Sequence, residues 1–276
     1  MKKKDNYELL GTLGIGGFGN IYKAVSGDGD IVALKKLSPC LLNNPEIISK
    51  FFHEAEILSK LNHPNICRLI DFFSDGTDCT IVMEYIEGMD LKDLMLHEPD
   101  NLIPFKLAVN IAGQCLDAFQ YAYEMGVLHR DIKPSNIMIG KNGKSTVMDF
   151  GIAAVIGDTS KDTVTGVLSP AYSSPERFSR EEKADIRSDI YSIGMVFYEL
   201  FTGKKPFDTA DRSEIELWHK KETPVPVNRI NPSISPEIAS AISTALEKEQ
   251  KNRFKDFLEF KKALGLDDIK DIGDAF

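Results

Sequence analysis

Two short polar segments in the middle of the chain carry side chains that suit one kind of chemistry. Asp131, Lys133 and Asn136 lie in the first segment, and Asp149 follows Asn136 by thirteen residues. Transfer of a phosphoryl group from ATP needs a base near the acceptor hydroxyl, oxygen ligands for Mg²⁺ and a cation that offsets charge. Few other reactions need this set, so the two segments predict a phosphotransfer site.

The order and spacing of these residues resemble the catalytic loop and the metal-binding triplet of the protein kinase family. The matching sequences are His-Arg-Asp-Ile-Lys-Pro-Ser-Asn, which contains Asp131, and the Asp-Phe-Gly that begins at Asp149. The resemblance implies that Asp131 is the catalytic base and that Lys133 offsets charge on the transferred group. It also implies that Asn136 and Asp149 bind Mg²⁺, with Mn²⁺ as an alternative. A lone aspartate in such a loop would more often cap a helix or a turn, so the prediction depends on the joint spacing.

A glycine-rich segment near the N-terminus is predicted to cover the phosphates of ATP. It consists of Gly14, Ile15, Gly16, Gly17, Phe18 and Gly19. Taken alone, this spacing is equally compatible with an ordinary tight hairpin turn. A dinucleotide-binding fingerprint would need a helix after the glycines, whereas residues 20–25 have the composition of a strand. A hairpin without Cβ atoms lets backbone N–H groups approach phosphates, which favours a kinase-type flap.

Lys35 ends the sequence Val-Ala-Leu-Lys, sixteen residues after Gly19. A lysine on a strand is usually a surface residue, but this sequence matches the kinase Val-Ala-Ile-Lys strand. The resemblance implies that Lys35 contacts the α- and β-phosphates and pairs with a glutamate of the following helix. Glu54 and Glu56 are the candidates. Glu54 is favoured because the family pattern Glu-x3-Leu-x4-His-Pro begins there, and Glu56 is then a solvated neighbour.

The resemblance also implies an adenine pocket between apolar side chains and a hinge. The matching positions, several of which would serve equally well as ordinary core, are Ile21, Ala33, Met83, Glu84, Ile86 and Met138. Asp90 has two interpretations of equal weight. It either contacts the ribose hydroxyls or caps the helix that follows it.

Three further positions match the family's structural framework. Glu176 ends a Ser-Pro-Glu sequence in place of Ala-Pro-Glu, and the resemblance implies that Arg253 forms a buried ion pair with it. Asp189 is implied to steady the catalytic loop.

Arg130 places a guanidinium beside the candidate base, where a phosphate could be bound bidentately. Thr163 and Thr165 lie in the polar segment 157–174, which is predicted to be a loop. They are either solvated loop residues or, as in related kinases, sites of autophosphorylation that pair with Arg130 and order the loop.

The elements that must position these residues fall into two groups. Short β-rich segments and one amphipathic helix come first, with predicted strands at 7–13, 21–25, 31–37, 68–73 and 80–84 and a helix at 45–62. Helices dominate the remainder, at 104–125, 188–201, 213–220, 236–247 and 254–264. The predicted fold is α+β and bilobal, with a small five-stranded antiparallel N-lobe carrying one helix and a larger, mainly helical C-lobe. The predicted kinase domain is 1–265, divided near residue 88, with a short tail at 266–276.

Composition limits the function classes. The 276 residues have a formal net charge of −9, which argues against a general nucleic-acid binder and is compatible with a basic protein partner. Four cysteines without a disulfide framework suit a reducing, cytoplasmic compartment. No run of about 18 apolar residues predicts a membrane span. We expect a soluble catalytic domain that stands alone, and the sequence leaves its oligomeric state open.

The chain resembles a bacterial-style eukaryotic-like serine/threonine protein kinase over about residues 5–265. The resemblance implies ATP and Mg²⁺ as cofactors and protein substrates with serine or threonine acceptors, because Lys133 follows Asp131 by two residues. Departures from the family pattern leave every catalytic group in place; they are Ile21 for Val, Leu34 for Ile, Ser174 for Ala and Ser169 where Thr is usual. Two alternatives remain: a pseudokinase that acts as a binding module, and a small-molecule phosphotransferase with related lobes.

Overall fold

The structure is a computed structural model that describes residues 7–16, 19–74, 78–150, 169–179 and 185–266. Within these residues the chain forms a small lobe built on a β-sheet and a larger lobe built on helices. The predicted bilobal fold is confirmed. None of the helices in the described ranges is long and apolar enough to cross a membrane.

The small lobe contains a five-stranded antiparallel sheet in the order β1-β2-β3-β5-β4. Its strands are β1 (Tyr7–Ile15), β2 (Gly19–Ser26), β3 (Ile31–Leu37), β4 (Leu69–Ser74) and β5 (Cys79–Glu84). Because side chains alternate between the faces of a strand, β3, β4 and β5 each contribute to two small cores. On β3, Val32 and Leu34 pack with Phe73 on one face, whereas Leu37 packs on the other face.

Helix α1 (Pro45–Ser59) covers the second face of this sheet. The Asn44 side chain caps its N-terminus by accepting hydrogen bonds from the N–H groups of residues 46 and 47, and Pro45 occupies the first turn, where its missing N–H costs nothing. Phe51 and Ala55 pack against the face that contains Ile81 and Met83. The opposite side of α1 is therefore free to carry charged residues, and its inner side can bring Glu54 toward the sheet.

The large lobe is organised around helix α4, whose residues are almost all buried. Its helices are α2 (Leu91–His97), α3 (Phe105–Glu124), α4 (Ile186–Thr202), α5 (Arg212–Lys221), α6 (Val227–Ile230), α7 (Pro236–Ala245) and α8 (Phe257–Ala263). Five of these helices were predicted from the sequence. The predicted start of the last helix at residue 254 is wrong, because Asp256 caps the helix by accepting from Glu259 N–H.

A second, three-stranded antiparallel sheet was missed by sequence analysis. It consists of β6 (Gly88–Asp90), β7 (Ile137–Gly140) and β8 (Ser145–Val147). Helix α6 was missed as well, and α2 was expected only as the helix that Asp90 would cap. These strands have only three or four residues each, too few for an alternating pattern to be recognised.

Strand β8 is attached to the segment that follows α1. Val147 N–H donates to the Asn65 carbonyl at 2.8 Å, and Cys67 N–H donates to the Val147 carbonyl at 2.9 Å. The Asn65 side chain adds a 2.7 Å hydrogen bond to the Ser145 carbonyl. These contacts fix Asp149, two residues after β8, relative to the small lobe.

The four cysteines are free thiols, and only Cys40 is exposed. Burial raises the pKa of Cys115 to about 12 and also raises the pKa of Cys67 well above its ordinary value. Both thiols therefore remain protonated inside the fold.

Candidate active site

One face of the five-stranded sheet brings three of the six predicted adenine-pocket residues to Lys35. Ile21 lies directly opposite Lys35 in the β2–β3 pair, and Ala33 lies opposite Met83 in the β3–β5 pair. Residues that lie opposite each other in an antiparallel pair project to the same face, as do residues two apart on one strand. Ile21, Ala33, Lys35 and Met83 therefore share a face.

The glycine-rich segment forms the hairpin between β1 and β2. Gly16 N–H donates to the Gly19 carbonyl at 2.9 Å, and Gly19 N–H donates back at 3.3 Å. A Cβ at Gly19 would lie 1.9 Å from the Lys36 carbonyl oxygen, so only glycine allows the close approach of β2 and β3 there. Gly17 and Phe18 lie outside the described residues.

Lys35 is the centre of a group of charges in which Lys35 and Glu54 are buried and Asp149 is partly exposed. Its Nζ lies 2.8 Å from Glu54 Oε1 and 2.9 Å from Asp149 Oδ1. Glu56 is exposed and contacts His53 Nδ1 at 3.5 Å, so the structure pairs Lys35 with Glu54. The other carboxylate oxygen, Glu54 Oε2, is buried and makes no hydrogen bond within the described part of the chain.

The charges of this group shift one another's pKa values. Burial opposes the charge on Lys35, but Asp149 and Glu54 outweigh it and raise the pKa of Lys35 above its ordinary value. Burial raises the pKa of Glu54 to about 7, against the opposing effect of Lys35. Burial also acts to raise the pKa of Asp149, yet Lys35 holds that pKa below its usual range. At neutral pH the lysine and Asp149 are therefore ionised, and Glu54 binds a proton more readily than an exposed glutamate does.

Both carboxylate oxygens of Asp131 accept hydrogen bonds. Lys133 Nζ lies 2.7 Å from Oδ2, and the Asn136 amide nitrogen lies 3.3 Å from the same oxygen. The Ser169 hydroxyl donates to Oδ1 at 3.0 Å. From the sequence, Ser169 stood out only as a replacement for threonine; no spacing rule reveals its contact with Asp131, which lies 38 residues earlier.

His129 joins the loop of Asp131 to the loop of Asp149. Asp131 N–H donates to His129 Nδ1 at 3.2 Å, so that nitrogen is an acceptor. Nε2 lies 2.8 Å from the Met148 carbonyl, which can only accept, so Nε2 carries the proton. Met148 N–H in turn donates to the Asn136 backbone carbonyl at 2.8 Å. His129 belongs to the catalytic-loop motif, but no role was predicted for it from the sequence.

Asp189 anchors the backbone of the loop that contains Asp131. Its buried carboxylate accepts hydrogen bonds from His129 N–H at 2.7 Å and from Arg130 N–H at 2.9 Å. Burial raises the pKa of Asp189, although these bonds oppose the shift. Arg130 adopts a left-handed conformation with φ 64°, which costs a non-glycine residue of order 1 kcal/mol. The two hydrogen bonds, and one from Arg177 to the Arg130 carbonyl, stabilise that conformation.

Glu176 and Arg253 form the expected buried ion pair. Two guanidinium nitrogens of Arg253 contact the two carboxylate oxygens of Glu176 at 2.8 and 2.9 Å. Ser188 Oγ donates to Glu176 Oε1, and Arg253 also donates to the Glu247 carbonyl at 2.7 Å. Burial would raise the pKa of Glu176, but the hydrogen bonds and charge of Arg253 bring it below its ordinary value.

The remaining predicted residues have less specific surroundings. Asp90 caps α2 by accepting from Asp93 N–H at 2.9 Å, and it lies opposite Met138 in the β6–β7 pair. The cap is thus present, whereas ribose binding by Asp90 stays a prediction. Glu84 Oε1 accepts from Arg68 N–H at 2.9 Å and holds the end of β5. Thr163 and Thr165 lie outside the described residues.

The oxygen atoms at the site fit a divalent cation that is also held by phosphates. The described ranges contain no cluster of three or more His, Cys, Asp or Glu side chains able to bind a metal alone. Mg²⁺ usually takes one or two protein ligands together with phosphate oxygens and water. The Asn136 amide nitrogen makes the hydrogen bonds of that side chain, to the Asp131 carbonyl and carboxylate. Its Oδ1 and the carboxylate of Asp149 are hard oxygen donors of the required kind.

Residues 7–263 match the protein kinase domain family. The serine/threonine-protein kinase PknB of Mycolicibacterium smegmatis is 35% identical over 271 residues, covering 94% of this chain and 42% of the relative. PknB of Mycobacterium leprae is 34% identical with the same coverage. The chain thus spans about two fifths of the length of these curated relatives.

A solved structure gives the same result for the fold. The crystal structure of the Mycobacterium tuberculosis PknI kinase domain superposes with a TM-score of 0.73 and 26% sequence identity, covering 96% of both chains. Together with the ion pair at Lys35 and the hydrogen-bonded loop of Asp131, these similarities show that the chain belongs to the protein kinase family.

Proposed function

We propose that this chain transfers the γ-phosphoryl group of ATP to serine and threonine hydroxyls of protein substrates. The observation that carries the proposal is the 3.0 Å hydrogen bond from Ser169 Oγ to Asp131 Oδ1. An aliphatic hydroxyl already lies within the distance that proton transfer to this carboxylate requires. Asp131 can therefore accept a hydrogen bond from an acceptor serine or threonine that takes the place of Ser169.

Each neighbouring side chain has a task in this reaction. Asp131 orients the acceptor hydroxyl and receives its proton, while Lys133, 2.7 Å from Asp131, offsets charge on the transferred group. Lys35, fixed by Glu54, orients the α- and β-phosphates. Asn136 and Asp149 would hold Mg²⁺, or Mn²⁺ in its place, which would supply positive charge to neutralise the phosphates. The hairpin closed by Gly16 and Gly19 covers the phosphates.

Control of this activity is proposed to involve the segment that follows Asp149. We propose that Thr163 or Thr165 is autophosphorylated and that the phosphate pairs with Arg130. The proposed catalytic domain is 1–265, with lobes at about 5–88 and 89–265. We also propose a cytoplasmic location, which the four free thiols suit.

The test is incubation of the chain with labelled ATP, Mg²⁺ and a mixed set of protein and peptide acceptors. Asp131→Asn keeps the shape of the side chain but removes the base, so we expect the rate to fall by about 10²–10⁴. Lys35→Met should abolish transfer as well. A thermal unfolding midpoint close to that of the parent chain in both variants is the control for folding.

Three outcomes separate the alternatives. Label on serine or threonine that depends on Asp131 supports the proposal. Nucleotide binding without any transfer would identify a pseudokinase that acts as a binding module. Transfer to small alcohols or amines but not to protein would identify a small-molecule phosphotransferase.

A further inference from the structure

A charged pair, Glu199 and Lys205, lies near the turn that follows Ser169, the residue that contacts Asp131. Ser169 is followed directly by a 3₁₀ turn, Pro170–Tyr172. The Tyr172 hydroxyl donates to Glu199 Oε2 at 2.6 Å, which ties this turn to helix α4. A residue of extended chain spans at most about 3.6 Å. Side chains two or three residues from an acceptor held at Asp131 can therefore reach Tyr172.

Lys205 occupies the other side of Glu199. Its Nζ lies 3.8 Å from Glu199 Oε1 and 5.7 Å from the centre of the Tyr172 ring. One oxygen of Glu199 is thus engaged by a phenol and the other by an ammonium group. The Lys205 side chain is 37% exposed and the Glu199 side chain 16%. The positive side chain of this pair is therefore the more accessible one.

The two contacts of Glu199 differ in strength. Burial, followed by the charge of Glu199, raises the pKa of Tyr172 well above its ordinary value, so the phenol stays protonated and continues to donate. The Lys205 contact is long and exposed, and such pairs contribute at most about 1 kcal/mol. Lys205 can therefore turn toward another anion, while Glu199 remains bound to Tyr172.

We propose that Lys205 is a specificity-determining residue, which favours substrates with an acidic side chain two or three residues from the phosphorylated serine or threonine. A basic side chain at that position is repelled by the exposed ammonium group of Lys205, whereas the less exposed Glu199 already accepts a hydrogen bond from Tyr172. The net charge of −9 would instead favour basic partners. Close charges decide this contact, because distant ones are screened over about 8–10 Å. The inference rests on the proposed kinase function.

The experiment compares kcat/KM for two peptides that share one serine acceptor and differ only in Glu or Arg at the flanking positions. We expect the parent chain to prefer the Glu peptide by up to about fivefold, the limit for one exposed ion pair. Lys205→Ala should remove this preference and Lys205→Glu should reverse it. Lys204→Ala is the matched control, because Lys204 is an exposed lysine one residue away and should leave the ratio unchanged.

The outcomes distinguish this inference from the proposed function. If the parent chain phosphorylates neither peptide nor any other protein acceptor, the kinase proposal fails and the inference fails with it. If it phosphorylates peptides but Lys205→Ala and Lys205→Glu keep the parent ratio, only the inference is wrong. An equal shift in Lys204→Ala would assign the preference to general surface charge. A merely structural role of Lys205 would change both peptides equally and leave the ratio intact.

Discussion

Glu54 is the residue whose ionisation has the clearest kinetic consequence. Its carboxylate is 2.8 Å from Lys35 Nζ, and burial raises its pKa to about 7. The charged form holds Lys35 in place for phosphate binding, so protonation should weaken that hold. We therefore expect kcat/KM for ATP to fall as the pH drops through about 7.

Glu54→Gln provides the comparison at this scale. The variant cannot ionise; its amide oxygen can still accept from Lys35 but carries no charge, and charge-assisted hydrogen bonds are about twice as strong as neutral ones, so we expect kcat/KM for ATP to fall by roughly 3–10-fold. The fall in kcat/KM for ATP at low pH, the acidic limb of the pH profile, should therefore be absent in Glu54→Gln. Glu56→Gln, an exposed neighbour, is the control and should retain the limb. A limb that persists in Glu54→Gln would assign the titration to another group.

The same pKa has a consequence for stability. A carboxyl group whose pKa is higher in the folded state binds its proton more tightly there than in the unfolded chain. The contribution of Glu54 to the free energy of unfolding is therefore greatest below about pH 4.5 and declines as the pH rises toward about 7. This direction is opposite to that expected for Glu176.

At the scale of elements, Gly19 decides how closely β2 and β3 approach. A Cβ there would overlap the Lys36 carbonyl, and overpacking of this kind typically costs about 1–3 kcal/mol. Gly19→Ala should lower the free energy of unfolding in denaturant and weaken binding of an ATP analogue. Gly11→Ala is the matched control on β1, where a Cβ would have no neighbour within 4 Å. Equal effects of both substitutions would mean that the hairpin tolerates the added methyl group.

The Glu176–Arg253 pair links the turn Pro175–Phe178 to the segment after α7. Removing one partner of a buried pair typically costs about 3–5 kcal/mol, so Glu176→Gln should lower the free energy of unfolding by that amount at neutral pH. Because the pKa of Glu176 is lowered in the folded state, its contribution is complete above the ordinary value near 4.5 and is lost as the pH falls through the lowered value.

Denaturant unfolding of both proteins at pH 7 and pH 3 checks this prediction. The difference in the free energy of unfolding between the parent chain and Glu176→Gln should be smaller at pH 3 than at pH 7. Arg253→Lys supplies a second comparison, because it keeps the charge and loses the two-pronged geometry. A difference of the same size at both pH values would show that the pair contributes through packing instead of charge.

At the scale of the whole molecule, the sequence predicted best those features that depend on spacing along the chain. Lys35 and Asp131 were identified because strand and loop motifs place them at fixed offsets from their neighbours. The contact between Ser169 and Asp131 was not predicted, since it forms only when segments 38 residues apart meet. The group of Tyr172, Glu199 and Lys205 was missed for the same reason. The sheet of β6, β7 and β8 was missed because each strand is too short to show a period.

The four thiols differ in exposure, so their rates of alkylation can report on the opening of the folded chain. Cys40 is exposed, whereas the other three cysteines are buried. A maleimide should therefore modify the native protein at one site rapidly and the denatured protein at all four. Cys67 and Cys79 belong to the core of the sheet lobe, and Cys115 belongs to the core of the helical lobe. The slower rates at which maleimide modifies these three cysteines would therefore measure how often each lobe opens. Mass spectrometry of the alkylated chain can then show which lobe opens first, and whether a bound nucleotide slows both or only one.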